Sequence, residues 1–415
     1  MCAVPLALVS TPLDSRLWLP FTQMRGFDPS ARTFVRGAGV ELEDARGARL
    51  FDATSSIWTT IHGHGHPAIV EAISRQAATL DHATTLGASN PPAEALAQRL
   101  CALTGLDHAF FSADGASAVE AALKMALQYW ANLGEPERTR FVRFVDSYHG
   151  DTTGAMSLSD IGLFKAPFGA ITFETLPYDA MARCLARDDV AAVFVEPLVQ
   201  AAAGMRLVPI AHYAALRGAR KPLLVIDEIA TGFGRTGTMF AYEQLGIRPD
   251  LLCVGKGLTG GTLALSATLV SERVYAAFLA QYRDGRHFFH GHSYAGNPIA
   301  CAASLASLDL FQREDTLERA RSLAAGFSPR LDRLRTHPSV RQVRAHGLMV
   351  GIELHAERLD ARGAISAAWR VANQLYEQGH FTRPIGDVIQ LVPPLISELA
   401  TVEAFFDALE VALVS

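Results

Sequence analysis

Six short apolar runs punctuate the middle of the chain: Ala109-Phe-Phe111, Phe141-Val-Arg-Phe-Val145, Ala191-Ala-Val-Phe-Val195, Leu223-Leu-Val-Ile226, Leu251-Leu-Cys-Val254 and Ala264-Leu-Ser-Ala-Thr-Leu-Val270. Helical or loop segments separate them. Strands so consistently apolar lack the polar alternation of a sheet with one wet face, so both faces must be covered. The pattern predicts an α/β architecture, a largely parallel sheet between layers of helices.

The flanks read differently. Gly39 to Phe51 alternates apolar and polar residues on both sides of an Asp44-Ala-Arg-Gly47 turn, which predicts a hairpin. Helical periodicity follows in Ala68–Ala77 and again, after Asn90-Pro-Pro, in Ala93–Leu100. Beyond Asn297 come a long helix from Ile299 to Phe311, amphipathic helices, and strands at Met349–Leu354 and Val388–Val392. This last part, with the amino-terminal arm, predicts a second and smaller domain.

Composition excludes several classes. Of 415 residues, 49% are hydrophobic and 19% charged, which suits a folded globular chain rather than a disordered one. The net charge of −5 comes without a basic stretch, so nucleic acid is not an expected partner. No apolar window reaches the roughly 18 residues of a membrane helix, and Met1–Val9 is expected to be a disordered tail rather than a signal peptide. The five cysteines (Cys2, Cys101, Cys184, Cys253, Cys301) are odd in number and mostly sit in apolar segments, as reduced thiols in the cytoplasm would.

The chemistry gathers at the ends of two apolar runs. Lys256 closes Asp250-Leu-Leu-Cys-Val-Gly-Lys-Gly257 between two glycines, and Asp227 closes Leu223-Leu-Val-Ile-Asp227. The stretch between them is long enough for one crossover, which places both side chains at the same edge of one sheet. A buried amine has a lowered pKa and attacks carbonyls, and a carboxyl beside it can hold the proton of a pyridine nitrogen. This pair is the minimal apparatus for pyridoxal phosphate. Gly115-Ala-Ser-Ala-Val-Glu120 follows a strand and opens a helix, where bare backbone amides and the helix dipole favour an anion; a plain helix start is the alternative.

Four other features carry rival readings. Gly232-Phe-Gly-Arg-Thr-Gly237 matches a dinucleotide fingerprint, but no acidic residue stands about 20 positions beyond it. The histidines of His62–His66 and His287–His292 lack carboxylates or cysteines at ligand spacing, so no metal is expected. Tyr148, at the end of the run from Phe141, could stack on a flat ring or simply fill the core. Arg383, ahead of the strand at Val388, could clamp a carboxylate or lie on the surface.

In order along the chain, Trp18–Met24, Met125–Trp130, Tyr148–Ser157, Asp227–Gly237 and Gly255–Gly261 resemble the class III, fold-type I aminotransferases that use pyridoxal phosphate. The resemblance spans Leu17 to Leu413. It implies a mostly parallel seven-stranded sheet in a large cofactor-binding domain at 61–295. Residues 1–60 would form an arm and part of the small domain, and 296–415 the rest of it. Within the class, the segments are most similar to the branch that aminates 8-amino-7-oxononanoate to 7,8-diaminononanoate in biotin biosynthesis.

The same resemblance implies roles residue by residue. Lys256 forms the Schiff base, Asp227 holds the pyridinium nitrogen, and Gly115 and Ala116 bind the phosphate. Tyr148 covers the ring and lines the substrate pocket with Phe21, Ile57 and Trp58. The enzymes are homodimers with shared sites, so His292 and Ser293 would reach the partner's phosphate, Gly291 would border substrate, and Arg383 would take its carboxylate. Phe21 stands where adenosylmethionine-using relatives carry tyrosine, Ile57-Trp58 where they carry two tryptophans, and Asp114 where serine is usual. Leu19–Phe21, His290–Ser293 and Thr382–Pro384 are instead similar to the lysine-using branch, so the donor is S-adenosylmethionine or L-lysine. A broad ω-amino acid or diamine aminotransferase, and a pyridoxal-phosphate decarboxylase or aminomutase, are the alternative activities.

Overall fold

The computed structural model describes residues 17, 19–22, 32–161, 173–218, 220–355 and 366–414. Cys2, the apolar tail, Trp18 and Met24 lie outside them.

All six apolar runs form strands of one seven-stranded sheet. Its order is His108–Ser112, Ser266–Val270, Leu251–Val254, Leu223–Asp227, Val190–Val195, Arg140–Phe144 and Glu174–Leu176. Ser266–Val270 runs antiparallel to both neighbours, and the remaining paired strands are parallel. The edge strand Glu174–Leu176 gives no apolar signal in the sequence because its three residues are only half-buried.

The two faces are both apolar, as successive side chains of a strand point to opposite sides. Val193, Val195, Leu224, Ile226, Leu252 and Val254 join one buried cluster, and Ala192, Phe194, Leu223, Val225, Leu251 and Cys253 join another. The second cluster packs under the helix Gly115–Asn132, whose Ala118, Val119, Ala121, Ala122, Met125, Ala126, Tyr129 and Trp130 face the sheet. At roughly 1.5–3 kcal/mol per large apolar side chain, these two layers are the main source of stability.

The flanking parts share a sheet. Phe34–Ala38, Glu41–Asp44 and Arg49–Asp52 form the expected hairpin with one strand more, and His380–Phe381 joins them in parallel from far along the chain. Val340–His346, Met349–Leu354 and Val388–Leu391 make a separate antiparallel sheet. The long helix spans Pro298–Arg313 with Asn297 as its cap, its side chain accepting from the amides of Ile299 and Ala300. Among the described residues no helix is long and apolar enough to cross a membrane, and Cys101, Cys184, Cys253 and Cys301 are free thiols.

Candidate active site

Parallel pairing sets Asp227 beside Cys253, so the chain leaves both strands on the same side of the sheet. A cavity of about 770 Å³ opens there, lined by Trp58, Gly115, Ala116, Tyr148, Asp227 and Lys256 among others. Clefts at the carboxyl ends of parallel strands are where α/β folds bind ligands.

Lys256 follows Gly255 in a single 3-10 turn and has a left-handed backbone, φ 44°. Burial draws its amine down to about 8, against the opposing pull of Asp227 and Glu196. Its Nζ lies 4.5 Å from the centre of the Trp58 ring. An amine at this pKa is about half neutral near pH 8, and that neutral fraction is nucleophilic.

Asp227 is buried and held from two sides: one oxygen accepts from the amide of Ile229 at 3.1 Å, the other pairs with His149 Nδ1 at 2.7 Å. His149 is itself buried, so the carboxyl has a fixed orientation. Tyr148 lies four residues past the end of Arg140–Phe144, in the connection rather than on the strand. Its hydroxyl donates to Asp151 at 2.8 Å, and burial with the neighbouring acids pushes the phenol pKa far up.

The helix behind the third wall starts at Gly115, the first residue of the segment expected to open it. Asp114 is its cap: its carboxylate accepts from the amide and hydroxyl of Ser117 at 2.9 and 3.0 Å. The amides of Gly115 and Ala116 have no acceptor among the described residues. Two such donors at the positive end of an 18-residue helix are chemically suited to an anion.

Glu196 is a site residue that the sequence reading above misses. It directly follows the apolar run Ala191–Val195, the same kind of position that marks Asp227, so the signal for it was present. It is buried on the cavity wall and accepts from the amide of Tyr148 at 2.9 Å. Burial, then the nearby Asp227, raises its pKa well above the usual carboxylate range.

Ser55, Ser56, Ile57 and Trp58 form the least expected element, a turn with φ of 49°, 48°, 64° and 68°. Left-handed backbone costs a non-glycine residue roughly 1–2 kcal/mol. Asp52 offsets this, accepting from Ser56 Oγ at 2.9 Å and pairing with His64 at 2.9 Å, while Ser55 Oγ donates to the Val392 carbonyl at 2.7 Å. The turn sends Trp58 into the cavity and Ile57 against the core instead.

The remaining expected residues do not line this cavity. Arg383 donates to the carbonyl of Phe21 at 3.3 Å, so the two sit together, with the Phe21 side chain largely exposed. Gly291 borders a second cavity of about 450 Å³ with Leu86, Phe110 and Phe288. His292 Nδ1 accepts from the amide of Tyr294 at 3.2 Å, and Ser293 is exposed. The His62–His66 histidines have other partners: Ser307, Asp52 and Glu314 in turn.

A lysine, a fixed carboxyl and an anion cup at one edge of a doubly covered sheet define an enzyme of the fold-type I class. The family described as Aminotransferase class-III matches residues 23–413, and the chain belongs to it. It is similar to the adenosylmethionine-8-amino-7-oxononanoate aminotransferase of Aquifex aeolicus, 39% identical with 95% of each chain covered. The crystal structure of the enzyme of that name from Methanocaldococcus jannaschii superposes with a TM-score of 0.90, at 37% identity over 96% of both chains. An amine transaminase from an uncultivated Pseudomonas species, solved in its PLP-bound form, gives 0.87 at 30% identity, covering 97% of this chain and 99% of that one.

Proposed function

We propose that the chain is a homodimeric, pyridoxal-phosphate-dependent aminotransferase that converts 8-amino-7-oxononanoate to 7,8-diaminononanoate in biotin biosynthesis, with S-adenosylmethionine or L-lysine as amino donor. The observation that carries it is the meeting of Lys256, Asp227 and the bare helix start around one cavity. The relatives named for this reaction, alike over nearly their whole length, support the substrate.

The residues present suit the cofactor. The free amides of Gly115 and Ala116 would hold its phosphate, joined by His292 and Ser293 of a second copy. Asp227 would hold a proton on the ring nitrogen, and Tyr148 would cover the ring. When bound, pyridoxal phosphate supplies an aldehyde that carries the amino group and a ring that stores the electron pair of a broken C–H bond.

The protein then does the positioning and proton handling. Lys256 Nζ, whose lowered pKa of about 8 leaves a reactive neutral fraction near pH 7–8, would anchor the cofactor and, when free, would move the proton at the reacting carbon. His149 fixes the orientation of the Asp227 carboxyl that would hold the proton on the ring nitrogen. Glu196, whose pKa burial and Asp227 raise, accepts from the Tyr148 amide and fixes the backbone of the residue that would cover the ring. Arg383 would take the far carboxylate of the oxo acid with Phe21 beside it, Trp58 would shape the pocket, and Gly291 would border the substrate from the second cavity, while Ile57 packs against the core.

The test is product formation from 8-amino-7-oxononanoate by the cofactor-loaded enzyme, run with S-adenosylmethionine and with L-lysine as sole donors. Diamine with one of them is the expected result and fixes the donor. A yellow protein that makes none, yet transaminates simple amines with pyruvate, overturns the reading in favour of an ω-amino acid or diamine aminotransferase.

A further inference from the structure

Gln390 is the one polar side chain in the apolar strand Val388–Leu391, and it is 1% exposed. Burying an amide is costly unless its hydrogen bonds are made. Both of its bonds go to parts of the site. Oε1 accepts from the indole nitrogen of Trp58 at 2.8 Å, and Nε2 donates to the backbone carbonyl of Arg383. The Gln390 carbonyl also accepts from Thr382 Oγ1 at 2.7 Å, so the segment before Arg383 is fastened to the same residue.

We propose that Gln390 is a positioning residue that sets the substrate pocket: one carboxamide fixes the Trp58 ring beside Lys256 and, seven residues back along the chain, the backbone that carries Arg383. The Trp58 ring packs in the core but sits on a strained left-handed turn, whose other hydrogen bonds hold only the backbone and Ser55 and Ser56, so Gln390 makes the one hydrogen bond seen to the indole among the described residues. The Arg383 arm rests on the reading that Arg383 receives the oxo acid's carboxylate. The Trp58 arm does not, since that ring borders Lys256, where donor and acceptor both react.

The experiment uses the cofactor-loaded full chain and measures KM and kcat separately for the amine donor and the oxo acid. Removing one partner of a buried hydrogen bond leaves the other unsatisfied, an effect worth about tenfold. Gln390→Leu is expected to raise KM about tenfold for the donor and further for the oxo acid, with kcat within about twofold. In a Trp58→Phe background, whose ring has no N–H, the donor penalty of Gln390→Leu should fall below about threefold while the oxo-acid penalty persists.

Gln390→Glu, nearly isosteric, serves if the leucine variant does not fold. It still accepts from Trp58 but offers no amide to the Arg383 carbonyl, so the oxo-acid KM alone should rise. Equal penalties in both Trp58 backgrounds, a loss confined to kcat, or a Gln390→Glu variant that affects both substrates alike would each overturn the proposal. Failure of the functional reading shows in the wild type, which would make no diamine; the cycle is then run on the amine and oxo-acid pair the wild type accepts, and the Trp58 arm is decided there.

Discussion

Replacing Lys256 by methionine should stabilise the cofactor-free protein at neutral pH and change how its stability depends on pH. Burial lowers the Lys256 pKa from 10.5 to about 8. A tenfold change in proton affinity corresponds to about 1.4 kcal/mol, so the charged amine costs at most about 3 kcal/mol, less where cavity water solvates it. The Trp58 face opposes this by about 0.5–2 kcal/mol at a Nζ-to-ring distance of 4.5 Å. A net cost of about 1–3 kcal/mol remains, so burial wins. Because the folded pKa is the lower one, the unfolded chain binds more protons between about pH 8 and 10.5, and wild-type stability rises with pH across that window. Below about pH 8 the cost is present in full. Lys256→Met carries neither the cost nor that slope. Urea unfolding of both apoproteins from pH 7 to 10.5, at fixed protein concentration because assembly shifts the midpoint, should show the variant ahead at pH 7 and the gap closing above pH 8. A gap that stays constant with pH would refute the perturbed amine.

Two further predictions concern ligand binding. Arg383→Ala should raise KM for the oxo acid roughly 10- to 100-fold, as loss of a charge-assisted pair does, and leave the donor KM within about threefold; steady-state kinetics with each substrate varied would show it, and equal rises would count against a carboxylate clamp. Asp114→Asn keeps a cap for Ser117 but removes a negative charge beside the free Gly115 and Ala116 amides, so pyridoxal phosphate should bind roughly two- to fivefold tighter at low salt, with the gain fading at high salt. Absorbance titration of apoprotein measures this, and unchanged or weaker binding would mean that the Asp114 charge does not reach the phosphate.

Much of the fold, and the meeting of Asp227 and Lys256 at one cavity, was legible in the chain alone. Two-sided burial forces apolar runs, so the strands announced themselves, and a polar residue ending such a run had to stand at the sheet edge; that logic located Asp227 and Lys256 and extends to Glu196. Segments with weak local signals escaped: Glu174–Leu176 is a half-buried edge, and nothing in Ser55-Ser-Ile-Trp58 advertises four left-handed residues. Those conformations are imposed from outside, by Asp52, Val392 and Gln390.

Residue order along a strand, and the burial it entails, therefore determined which side chains reach the edge of the sheet. Only the tertiary structure decided what they meet there: that His149 fixes Asp227, that Asp114 turns to cap its own helix and leaves two amides bare, and that a glutamine more than 330 positions away in sequence from Trp58 holds its indole. Local propensity acts over a few residues, whereas these contacts join segments that only the folded core brings within hydrogen-bonding distance.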